Sequence, residues 1–130
     1  MDDIPAIVGM MRDFHSAESP PWPLSEVAAA DIAAAVVKDG FAAVSASGMI
    51  LGVALENPLS PGWLVAKEFL WWASDGSGAA LGRAFRAWAR KIGASEIQWS
   101  CPAKNLRVRN HYARRAVESE AVYSEYLTCV

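Results

Sequence analysis

The stretch from Lys67 to Gly93, KEFLWWASDGSGAALGRAFRAWARKIG, changes character twice within 27 residues, and the rest of the chain has to be built around it. The apolar run Phe69-Leu70-Trp71-Trp72-Ala73 reads as a buried strand, Asp75-Gly76-Ser77-Gly78 as a tight turn of small residues, and the segment after that turn as a helix. In that helix Leu81, Phe85, Trp88 and Ile92 form one apolar stripe, Arg83, Arg86 and Arg90 face elsewhere, and Gly93 supplies a stop. The first turn of any helix leaves backbone N–H groups without intrahelical partners, and glycines let an anion approach them. Strand, glycine turn and helix therefore suit a phosphate cradle, and equally an ordinary strand-to-helix connection.

Length and composition narrow the possibilities. A chain of 130 residues, 53% hydrophobic and with six tryptophans, is expected to form one domain (residues 1–130) with a substantial core, which excludes a disordered chain. Asp2, Asp3 and Arg12 interrupt the N-terminal stretch where a signal peptide would be apolar, and no apolar run approaches the ~20 residues of a membrane span, so a soluble cytoplasmic protein is expected. Cys101 and Cys129 lack metal-ligand spacing; no metal is expected. The net charge of −2 conceals an asymmetry, because nine of the twelve Lys and Arg residues lie between Arg83 and Arg115 with Glu96 as the only acid among them. A basic segment beside a glycine turn suits a phosphorylated cofactor; nucleic acid is the weaker reading for an acidic chain without a reader motif.

In chain order, Pro5 sits where a first helical turn tolerates proline, with Asp2 or Asp3 available as cap, and a helix runs through Met10, Met11 and Phe14. Pro20-Pro21-Trp22-Pro23 forms a loop, with His15 and Glu18 just before it. Ser25 caps a second helix from Glu26 to Lys38, whose larger residues Val27, Ile32, Val36 and Val37 are expected to face the core, with Gly40 as the stop. Phe41–Ser45 and Met49–Leu55 read as an antiparallel hairpin, and Trp63–Ser74 as the strand feeding the glycine turn. Glu68 lies in that strand, either on a solvent edge or in a cleft with a raised pKa, where it could act as a base. Glu96 to Cys101 alternates as a strand, Asn105 to Ala116 reads as a basic helix carrying His111 and Tyr112, and Ala121 to Thr128 as a last strand. The fold class is α/β, a mixed and mostly antiparallel sheet with helices on both faces.

With these elements in place, the chain resembles the GCN5-related N-acetyltransferases, and a compact bacterial or phage-like branch of them. The signature of that family is Gln or Arg, two residues, Gly, one residue, then Gly or Ala; Asp75-Gly76-Ser77-Gly78-Ala79-Ala80 matches the Gly and the final Ala and places Asp at the head. A second match lies at Asn105, Val108 and Tyr112, with Ala116-Val117 where the family has Gly and an aromatic. The resemblance implies the family's fold without its first strand, with acetyl-CoA bound between two splayed strands.

It further implies that the backbone N–H groups of Gly76, Ser77, Gly78, Ala79 and Ala80 receive the pyrophosphate, with Arg83 or Lys104 near the outer phosphates. Backbone groups of Trp72 and Ala73 would pair with the pantetheine arm, Asn105 would orient the cofactor, Glu68 would be the base and Tyr112 the acid. The acceptor would be a small-molecule or peptide amine, in a cleft shaped in part by Trp22 and the proline loop. Asp75 sets a negative charge where phosphate would approach, which makes a non-catalytic ligand- or partner-binding protein of the same fold the second reading. A tyrosine-rich final strand would also leave an edge that a second copy could cover, giving a homodimer.

Overall fold

The computed structural model describes residues 3–100 together with 110, 114, 116, 124, 125 and 127. Along them run α1 (Ile4–Glu18), α2 (Glu26–Asp39), β1 (Phe41–Val44), β2 (Gly48–Glu56), β3 (Leu64–Ala73), α3 (Gly78–Lys91) and β4 (Glu96–Gln98). The expected helix from Asn105 to Ala116 and strand from Ala121 to Thr128 fall almost wholly outside the described residues, as do both cysteines.

The strands form one sheet in the order β1-β2-β3-β4. The hairpin pairs Val44 with Met49, β2 and β3 are antiparallel from Gly48↔Ala73 to Glu56↔Leu64, and β3 and β4 are parallel. Alternation along β2 explains why both faces are covered. Met49 and Leu51 join Ile7, Val8, Met11, Ala29, Ala33 and Val36 under α1 and α2, whereas Ile50 points the other way, to Leu81, Phe85 and Ala89 of α3. A strand segment buried on both faces reads as an unbroken apolar run, and β2 is buried in this way from Gly48 to Gly52, whereas Ala54 and Leu55 at its far end are exposed.

Two local expectations are corrected. Asp3 occupies the N-cap position of α1 at φ −87°, ψ −2°, and its side chain makes no capping hydrogen bond, because that backbone is helical instead of extended. In α2 the small residues Ala29 and Ala33 face the core with Val36, while Val27, Ile32 and Val37 are exposed, Val27 at 75%. The alanine face lets α2 lie close to α1 and the sheet, and larger residues on that face would hold it away. Ser25 does cap α2 as expected, its side chain accepting from the Ala28 N–H at 3.2 Å.

Close approach explains the glycines of the α3 layer. A Cβ on Gly82 would stand 2.9 Å from the Trp71 indole, and one on Gly52 would stand 2.2 Å from the Phe85 ring. Around them Phe41, Phe85, Trp88, Trp71 and Trp99 form a chain of ring contacts, with centroids 5.3 to 5.8 Å apart. Gly93, at φ +76°, ends α3 in the left-handed region.

Candidate active site

The parallel ladder between β3 and β4 is short: Val65↔Glu96, Ala66↔Ile97 and Lys67↔Gln98. The alternation of Glu96 to Cys101 predicts a longer strand, but β4 ends at Gln98. From Glu68 onward β3 continues for six residues to Ala73, and among the described residues no strand pairs with it on the β4 side. Among the described residues the pair thus makes a fork with the ladder as its closed end and with β3 as the arm that runs on to the glycine turn. At the fork β3 also carries a bulge, since Leu51 faces Leu70 but Gly52 faces Glu68, leaving Phe69 as the extra residue. Phe69 and Leu70 consequently pack on the same core, under α1 and α2.

Glu68 stands at this junction, opposite Gly52 and only 1% exposed. Ser100, just beyond β4, donates its backbone N–H to Glu68 Oε2 at 3.0 Å and its hydroxyl to the same oxygen at 3.2 Å. That hydroxyl also lies 3.2 Å from the Glu68 carbonyl oxygen. Burial pushes the carboxyl pKa up to about 7, against the opposing pull of the two Ser100 hydrogen bonds, which favour the ionised form. Of the alternatives the sequence leaves open for Glu68, the structure shows the buried one, with a proton affinity suited to exchange near neutrality.

At the other end of β3 the turn is tied to the hairpin. Ser74 donates its N–H to the Ser47 carbonyl at 3.0 Å, and the Ser77 and Ser45 hydroxyls share a hydrogen bond at 2.8 Å. Asp75 Oδ1 accepts the Ser77 N–H at 2.9 Å, which with the Ser77 hydroxyl holds its pKa below the usual carboxylate range. One of the five amides expected at the cradle is therefore already engaged by a side-chain anion. Gly78, Ala79 and Ala80 form the first turn of α3, where amides have no intrahelical acceptor. Among the described residues, nothing beyond its chain neighbours lies within 4 Å of where a Gly76 Cβ would be.

The remaining predicted site residues divide by position. Trp72 and Ala73 are half-buried at the end of β3, paired with Met49 and Gly48, and Trp72 meets Phe14 of α1 edge-on at 6.3 Å. Arg83 is exposed one turn into α3. Asn105 and Tyr112, with Lys104, lie outside the described residues. In the last turn of α1 His15 Nε2 donates to the carbonyl of Trp22 in the α1–α2 loop at 2.8 Å and the two rings stand 5.1 Å apart, so Trp22 is held beside α1 with half of its surface exposed. Ser100 is the site residue that the sequence did not reveal. A serine ending an alternating run is unremarkable until the fold brings it to a glutamate 32 positions earlier.

No protein-family model matches the chain, and no curated protein matches it in sequence. Solved structures do match. A ribosomal-protein-alanine N-acetyltransferase from Brucella melitensis biovar Abortus 2308 superposes with a TM-score of 0.61 at 16% identity, over 98% of this chain and 94% of that one. An aminoglycoside acetyltransferase from an uncultured soil metagenomic sample, solved with trehalose, gives 0.67 at 17% identity over 98% and 91%. AAC(6')-Iy, bound to the bisubstrate analogue CoA-S-monomethyl-acetylneamine, gives 0.64 at 14% identity over 95% and 93%. At these identities the likeness shows the fold alone: a mixed α/β domain folded like these acetyltransferases.

Proposed function

We propose that the protein is an N-acetyltransferase that moves an acetyl group from acetyl-CoA to an amine of a small molecule or peptide. The observation that carries this reading is the fork itself, with a buried carboxyl at its closed end and a helix N-terminus at the far end of its β3 arm. From Glu68 to Ala73 the strand rises about 17 Å, a span that an extended pantetheine arm covers between pyrophosphate and thiol. Gly78, Ala79 and Ala80 would bind the pyrophosphate through backbone N–H groups, Arg83 would face the outer phosphates, and Trp72 and Ala73 would offer backbone groups to the arm as an added strand.

Acetyl-CoA supplies an activated acyl carbon. The acceptor nitrogen bonds to that carbon as the carbon–sulfur bond breaks, and Glu68 takes the proton that the nitrogen loses. Tyr112 would return a proton to the sulfur, an assignment that rests on its spacing from Asn105. The similar structures include an aminoglycoside acetyltransferase and a ribosomal-protein-alanine N-acetyltransferase, which supports an amine acceptor here; it would enter near Trp22 and Phe14, on the side where α1 meets Trp72.

The engagement of the Ser77 amide by Asp75 favours a second reading, a non-catalytic binding protein of the same fold. Calorimetry with acetyl-CoA, followed by an assay of thiol release with a panel of amines, separates the two. The enzyme reading expects both heat and thiol release, the latter lowered by Tyr112→Phe. Binding without turnover on any amine would favour the second reading, and no heat at millimolar acetyl-CoA would remove the first.

A further inference from the structure

We propose that Ser100 is a positioning residue for the reaction: its hydroxyl holds the Glu68 carboxylate and the Glu68 main chain together at the closed end of the fork, and so fixes where the base stands. This rests on the acetyltransferase reading for its catalytic meaning, and for its geometry on one N–H and one hydroxyl, whose single proton lies within reach of two Glu68 oxygens. The Ser100 N–H and hydroxyl both reach Glu68 Oε2, at 3.0 and 3.2 Å, and the hydroxyl also reaches the Glu68 carbonyl oxygen at 3.2 Å. The location gives these contacts their weight. The strand ladder ends at Lys67↔Gln98, one residue before Glu68, so Ser100 makes the first described link between the two arms beyond the ladder. A carboxyl left without donors at 1% exposure would be strongly biased to its neutral form and useless as a base near neutrality.

Charged groups on the surrounding elements offer no substitute among the described residues. Lys67 precedes Glu68 on β3, where side chains alternate faces, and is exposed. On α3 the Arg86 guanidinium lies 5.2 Å from the centre of the Trp99 ring, and Arg83 and Arg90 are exposed. On β4 Glu96 is tied to Trp63 and Gln98. Among the described residues, burial and the Ser100 hydrogen bonds set the proton affinity of Glu68, and no charge on β2 or α3 contributes.

The test compares Ser100→Ala and Ser100→Thr with the parent. Alanine keeps the backbone N–H and removes the hydroxyl; threonine keeps both. Carbon-13 NMR titration of the Glu68 carboxyl, identified by its loss in Glu68→Gln, is expected to move its midpoint up by roughly one unit in Ser100→Ala and to leave it near the parent value in Ser100→Thr. The rising limb of the acetyl-transfer pH profile should move with it, so that Ser100→Ala is slowed about fivefold near pH 7 and recovers at pH 9. An unmoved or lowered midpoint in Ser100→Ala, or a threonine variant that behaves as alanine does, would overturn the assignment. A parent protein whose Glu68 titrates as described yet transfers no acetyl group would sink the acetyltransferase reading while the control of Glu68 by Ser100 stands.

Discussion

Glu68 is held with 1% of its surface exposed and a pKa of about 7, against 4.5 for an ordinary glutamate, so the folded chain retains a proton that the unfolded chain releases. As far as this group is concerned, stability is greatest below about pH 4.5, and it is lost as pH rises through the window from there to about 7, by an amount on the order of 3 kcal/mol. Urea denaturation of the parent and of Glu68→Gln across pH 5 to 8 should show a decline in the parent that is flattened in the variant. If Glu68 is the base of an acetyl transfer, activity is expected to run the opposite way, rising through the same midpoint as the carboxyl ionises, and Glu68→Gln should lower kcat by roughly 10²–10⁴-fold. The glutamate was legible in the sequence as a carboxylate in an apolar strand. Its partner was not, because the Ser100 contact depends on a bulge at Phe69 and on β4 ending early, neither of which has a local signature.

Among the elements, α3 was legible almost residue by residue, from the stripe of Leu81 and Phe85 to the stop at Gly93, because strong amphipathicity and a glycine terminator are local facts. The alanine-rich α2 was legible in extent but not in orientation. With alanine on every side, only packing decides which face turns inward, and the face that allows the closest approach was selected. Gly82 shows how tight the α3 layer is. In an exposed helix Gly→Ala gains about 1 kcal/mol from propensity, yet the new methyl would stand 2.9 Å from the Trp71 ring. Gly82→Ala is therefore expected to destabilise the protein by a net ~1–2 kcal/mol as Trp71 is displaced, and the near-ultraviolet circular dichroism of the tryptophan cluster should change with it. A more stable variant with an unchanged aromatic signal would contradict this account.

For the molecule as a whole, the two cores on opposite faces of one sheet result from a central strand that is apolar in both directions, and that much the sequence conveyed. It also conveyed the order of elements from α1 to β4. Ligand binding should register at this scale. If the fork takes acetyl-CoA, a concentration one hundred times its Kd should raise global stability by about 2.7 kcal/mol, seen as a concentration-dependent rise in melting temperature, with desulfo-CoA retaining most of it and free acetate none. No described helix is long and apolar enough to cross a membrane.

The serine contacts between the two turns have a dynamic consequence. Because Ser74 is bonded to Ser47, and Ser77 to Ser45, the glycine turn cannot open by itself: the hairpin turn some thirty residues earlier has to let go as well. The cradle should therefore breathe as a cooperative unit, with the amides of Ser45 and Ser74 exchanging hydrogen at matched rates. If the turn receives the pyrophosphate, much of the ordering entropy that a flexible loop would lose on gripping an anion is already spent in folding, and the hairpin turn becomes a place from which anion affinity could be tuned at a distance.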